Sequence, residues 1–87
     1  MSVIDAVRDF LGSELRIAQA AELDPELPLV QRGVIDSIEL MQIVLFLERR
    51  YGIAVDETEI LPANLRSLAA IERFVESKVG GAAGAGA

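Results

Sequence analysis

An Asp-Ser pair, Asp36-Ser37, stands where a Gly-containing loop, Gly33-Val34-Ile35, runs into a strongly apolar stretch beginning Ile38-Glu39-Leu40. The spacing predicts a helix from Ser37 to about Tyr51, so the pair falls at its start. A hydroxyl there is exposed and lies beside an acid. The first N–H groups of a helix lack partners, and the helix dipole is positive at that end, so a phosphate is favoured at such a place. The pair therefore places an exposed alcohol where a phosphate group is favoured. The bland reading is that Asp36 and Ser37 form a helix cap and nothing more, with Asp36 and Glu39 as a capping-box pair. Ser13 lies mid-helix, Ser67 reads as a cap and Ser77 lies near a helix end, so none competes strongly with Ser37.

Conventional catalysis has few residues to use. The 87 residues include no His and no Cys. That removes the commonest general base, the thiolate nucleophile and the commonest zinc ligands, leaving no acid–base constellation and no metal site to expect. Glu57 and Glu59 are oxygen ligands in principle, but two carboxylates on a short helix are usually solvated. The formal net charge of −6 repels nucleic acid and anionic membranes and attracts basic protein surfaces. Arg49-Arg50 is too small a patch for nucleic acid. No apolar run reaches the roughly 18 residues of a membrane span, and Met1-Ser2-Val3-Ile4-Asp5 lacks the start of a signal peptide. A cytoplasmic monomer is expected.

The elements that must position Ser37 follow from periodicity. Val3 to about Ala20 reads as an amphipathic helix, with Ile4, Val7, Leu11, Leu15 and Ala18 inward and Ser2 as N-cap. Gly12 is costly mid-helix and is read as allowing close packing. Glu22 to Ile35 is a long connection broken by Pro25, Pro28 and Gly33. Its apolar Leu27, Leu29, Val34 and Ile35 predict that it lies against the core. Gly52 ends the second helix. Asp56 to Leu61 is a short acidic helix at best, stopped by Pro62. Ser67 caps a last helix from Leu68 to about Lys78, with Lys78 suited to the C-terminal dipole and Gly80 as a stop. The Gly/Ala run 80–87 reads as a disordered tail outside a folded domain 1–79. The fold class is all-α: a small bundle of three main helices and one short helix.

The second helix carries two apolar stripes. Leu40, Ile43, Val44, Leu47 and Tyr51 share one face and belong in the core. Ile38, Met41 and Leu45 share another, aligned with Ser37, and Glu48, Gln42 and Arg49 border it. That second stripe either packs under the long loop or is a docking surface for partner enzymes, and docking is favoured in so small a bundle.

The order of these features resembles the acyl carrier protein family. The likeness covers about Val3 to Val79: helix, long loop, Asp-Ser, apolar helix ending in Tyr51-Gly52-Ile53, the acidic Asp56-Glu57-Thr58-Glu59, and the closing Ser67-Leu68-Ala69-Ala70-Ile71-Glu72-Arg73-Phe74-Val75. The resemblance implies that Ser37 carries 4′-phosphopantetheine taken from coenzyme A and that Asp36 helps present it to a phosphopantetheinyl transferase. It implies a carrier rather than an enzyme. Its partners would be acyl- or aminoacyl-loading ligases or synthetases and acyl-transferring enzymes of a lipid or polyketide pathway. Ile38, Glu39, Met41, Leu45, Glu48 and Arg49 would form the partner surface. Some members shelter an acyl chain between helices, and Leu40, Val44, Leu47, Ile60 and Leu65 are candidates for such a cleft. Ile38 replaces the family's usual Leu, and Gln42 and Arg49-Arg50 stand where many fatty-acid carriers are acidic. These departures point to a specialised member rather than the primary fatty-acid carrier. An aminoacyl or peptidyl carrier and an arm-less interaction module remain the alternatives.

Overall fold

The computed structural model describes the backbone of residues 1–86 and the side chains of 1–80. It is helical, without a strand among the described residues. Helix α1 spans Val3–Ser13, α2 Ser37–Tyr51, α3 Pro62–Leu65 and α4 Leu68–Gly86, with 3₁₀ turns at Ala20–Glu22 and Glu57–Glu59. Among the described residues, no helix is long and apolar enough to cross a membrane.

Helix α1 starts as its sequence dictates: Ser2 Oγ accepts the Asp5 N–H at 3.1 Å. It ends seven residues before the expected Ala20. The chain reverses through Arg16 and Gln19, both with a left-handed φ of 57°. The Ile17 N–H donates back to the Leu11 carbonyl at 2.9 Å. Leu15 reaches the core as part of this reversal, together with Ile17, whereas Ala18, expected inward, is exposed. Gly12 is not demanded by crowding, since a Cβ there would meet Ala20 Cβ at 3.5 Å, an ordinary contact.

The long loop packs against the core as expected. Leu29 and Ile35 are buried, and Leu27 and Val34 half-buried. Two backbone bonds tie the loop to the other end of the chain: Leu29 N–H to the Arg66 carbonyl at 2.8 Å, and Ala69 N–H to the Pro25 carbonyl at 2.9 Å. Burial of the aliphatic side chains Val7, Leu11, Leu29, Ile43, Leu47, Leu68, Ile71 and Val75 forms one core, and apolar burial is the main force holding it. A ring stack between Phe10 and Phe46 closes it on one side.

Between α2 and α4 the structure corrects the sequence reading. The Asp56–Leu61 segment is only a 3₁₀ turn, Glu57–Glu59. Pro62 stops it but also opens α3, because proline's fixed φ and missing N–H suit the first helical position. Ser67 caps α4 as expected, its buried Oγ accepting the Ala70 N–H at 3.1 Å. Lys78 does not end the helix. It donates to both Glu59 carboxylate oxygens, at 2.8 and 3.0 Å. The helical backbone passes Gly80 and runs to Gly86, so Gly80 is not the stop expected from the sequence, and no proline intervenes. The reading of 80–87 as a tail extends to Ala87 and to side chains outside the described residues.

Candidate functional site

The loop fixes where α2 begins. Gly33 adopts a left-handed φ of 73°, which glycine takes without steric cost. The turn around it brings the Val34 and Ile35 N–H groups onto the Leu29 carbonyl, at 2.9 and 3.3 Å. Leu29 and Ile35 are both buried, so the last loop residue before Asp36 is pinned to the core.

Asp36 is extended, with φ −102° and ψ −177°, and is the N-cap of α2. Its Oδ1 accepts the Glu39 N–H at 2.8 Å, and Glu39 Oε1 accepts the Asp36 N–H at 3.0 Å. This is the capping box expected from the sequence, and it satisfies two backbone donors reciprocally. Ser37 is the first residue of the helix and is exposed. Its hydroxyl has no hydrogen-bond partner among the described residues, and the Ser37 and Ile38 N–H groups likewise have none. An accessible alcohol, two free donors and a positive dipole end therefore meet at one point.

The second stripe of α2 does not pack under the loop. Ile38 is 73% exposed, Met41 43% and Leu45 52%. The opposite face holds Ile43, Val44 and Leu47 in the core, with Leu40 and Tyr51 half-buried against it. Gly52, at φ 64°, ends the helix as read from the sequence.

The charged residues of α2 are less alike than the sequence implied. Glu39 is turned back into the capping box. Glu48 is half-buried, and its Oε2 accepts the Val55 N–H at 2.9 Å, tying α2 to the chain that follows it. Arg49 and Arg50 are exposed, and neither has an ion-pair partner among the described residues. The role of Glu48 in holding the next segment had no local signal, because it depends on where Val55 returns in space.

Beside α2, on the side of α3, lies an apolar pocket of about 300 Å³. Leu40, Ile60 and Leu65 line it, as expected of a cargo cleft. Val44 and Leu47 do not; they are buried in the core behind. Pro28, Val30, Leu61 and Pro62 add to the apolar lining, Gln31 and Arg66 border it, and all six were missed. Exposed Val30 and Leu61 were the available signal, the one an apolar residue two positions after Pro28 in the long connection, the other directly before Pro62 at the end of the short acidic segment.

Two carboxyls away from Ser37 are held below their ordinary values. For Asp56 the main cause is the hydrogen bond from the Thr58 N–H, and for Glu59 it is the bond from Lys78. They fasten the 3₁₀ turn and α4 rather than build a reactive centre.

Comparison with known proteins places this geometry. Residues 5–75 match the family described as the phosphopantetheine attachment site. The chain is 30% identical over 82 residues to aminoacyl carrier protein 2 of Bradyrhizobium diazoefficiens, covering 94% of this chain and 88% of that protein. It is 22% identical over 76 residues to an acyl carrier protein of Brachyspira hyodysenteriae, covering 87% of this chain and 95% of that protein.

Proposed function

The chain belongs to the phosphopantetheine attachment-site family of carrier proteins, and from that premise we propose that Ser37 is the attachment residue. The family's prosthetic group is 4′-phosphopantetheine, and its members are carriers rather than enzymes. One observation carries the proposal: an unbonded, exposed alcohol at the first position of α2, next to two free N–H donors. The residues present fit the group. The hydroxyl is reachable, the donors and the dipole favour its phosphate, and the capping box turns the Asp36 Oδ1 towards Glu39. When attached, the group supplies a thiol on a flexible arm that holds cargo as a thioester.

The protein's own part is positional. Asp36 fixes the start of α2 and presents Ser37 to a transferase. Ile38, Met41 and Leu45 form an apolar strip on which a partner enzyme seats itself, so that tethered cargo meets its catalytic groups at high effective concentration. The cargo is an acyl group of a lipid or polyketide pathway, and the apolar pocket beside Leu40 supports that reading as a place for an aliphatic chain. An aminoacyl cargo is the second reading, and the 30% identical relative named as an aminoacyl carrier favours it. Arg49 and Arg50, together with the internal bonds of Glu39 and Glu48, support a specialised carrier over a primary fatty-acid one.

The decisive experiment is incubation with coenzyme A and a broadly tolerant phosphopantetheinyl transferase, read by intact mass. A mass gain that vanishes in Ser37→Ala is expected. A gain that persists in that variant removes Ser37 from the site, and no gain with several transferases favours the arm-less module. Screening which acids and amino acids then become thioester-linked separates the two cargo readings.

A further inference from the structure

A larger concavity, of about 640 Å³, lies away from the pocket beside Leu40, between the C-terminal part of α1 with the two residues after it and the C-terminal two-thirds of α2. Its floor is apolar. Phe10 and Phe46 stack there with ring centroids 4.5 Å apart and planes inclined by 22°. Leu45 forms one edge and also belongs to the exposed strip of α2, so groove and strip are continuous.

The walls differ in charge. Arg49 and Arg50 stand on the α2 side, and Asp9 and Glu14 on the α1 side. None of the four has an ion-pair partner among the described residues, so the two walls do not neutralise each other. An apolar floor between unpaired charges of opposite sign has the composition of an interface core with its rim. We infer that this groove receives an edge of a partner enzyme that carries an apolar residue between a carboxylate facing Arg49 and a cation facing Asp9 and Glu14. The inference rests on the carrier reading and adds the chemistry of the partner to it. A second copy of this chain is a poor occupant, because each copy carries a net charge of −6. A partner whose docking patch is uniformly basic is matched by Asp9 and Glu14 but is opposed by the two guanidinium groups of the other wall. Arg49 therefore acts as a specificity-determining residue.

The test is selection of a displayed library of short random peptides against the purified full chain, followed by titration and amide-shift mapping. Enriched peptides are expected to carry Asp or Glu within a helical turn of an aromatic or branched apolar residue. They are expected to shift the amides of Phe10, Leu45 and Phe46. Arg49→Glu should weaken them roughly tenfold or more. Replacing the peptide's acid by Lys should restore binding to that variant, which also shows that the variant is folded. Peptides without acids, shifts outside the groove, or equal affinity for Arg49→Glu overturn the inference. Concentration-dependent dimerisation in sedimentation that protects the same amides overturns it too, by giving the groove to a second copy. Modification of wild-type Ser37 is measured in parallel. Intact modification without groove binding rejects the groove alone, whereas groove binding without modification rejects the carrier reading.

Discussion

Asp36 has two separable effects, and a pair of substitutions separates them. Its Oδ1 accepts the Glu39 N–H at 2.8 Å, and its charge sits at the positive end of α2. Asp36→Ala removes both, and losing an N-cap acceptor costs about 1 kcal/mol. The site is exposed, so water replaces part of the lost bond and keeps the cost near that value. For a domain of this size, about 1 kcal/mol lowers Tm by roughly 4–8 °C. Asp36→Asn keeps an equivalent acceptor and loses only the interaction of charge with dipole, about 0.3–1 kcal/mol, so it should melt between the alanine variant and the wild type. Both variants stay folded at 25 °C. Their rates of modification by coenzyme A and a transferase therefore report presentation of Ser37 rather than unfolding. Both are expected to be slowed, Asn included. Thermal melting followed by circular dichroism and intact-mass time courses supply the two readouts. An alanine variant with an unchanged Tm refutes the role of the cap, and an Asn variant modified at the wild-type rate refutes the role of the charge.

Three further outcomes follow from the packing and ion pairs. Leu29→Ala empties a fully buried site that anchors the loop, and should cost about 2–5 kcal/mol in urea unfolding; a loss under about 1 kcal/mol would mean that the loop does not depend on the core. Asp56 and Glu59 have folded-state pKa values below their ordinary ones, so the stability they add is complete above the ordinary carboxylate range and is lost as pH falls through the folded values. The Tm should thus decline on acidification less steeply in Glu59→Gln than in wild type, and equal slopes would count against the Lys78 pairing. A chain ending at Val79 should keep its stability within about 0.5 kcal/mol and remain a transferase substrate, and a large loss would place residues 80–87 inside the folded domain.

The start and end of α2 were legible because each rests on a local rule. An acid at the cap with Glu three residues on, and a glycine after Tyr51, are signals that no distant contact had to supply. Its two apolar stripes were equally plain, since helical period alone assigns Ile43 and Leu47 to one side and Ile38 and Leu45 to another. The end of α1 was hidden for the opposite reason. Leu15 and Ala18 continue the period, and the residues that break it, Arg16 and Gln19, take left-handed backbone conformations with no glycine to announce them. Pro62 was read for what it ends rather than for what it begins. The two ties of the loop to α4 and its approach, and the apolar pocket, join segments distant in sequence, and the bond from Val55 to Glu48 depends on how the chain turns back after Gly52.

The paired fastenings of α2, its capping box at one terminus and the Glu48 carboxylate holding the returning chain near the other, make the helix a stiff gauge. At 1.5 Å per residue, Leu45 lies about 12 Å along the axis from Ser37. If Ser37 is the attachment residue, as proposed, an enzyme that locates Leu45 by touch would thereby measure where the serine stands, and the slack left in delivery would belong to the arm on that oxygen.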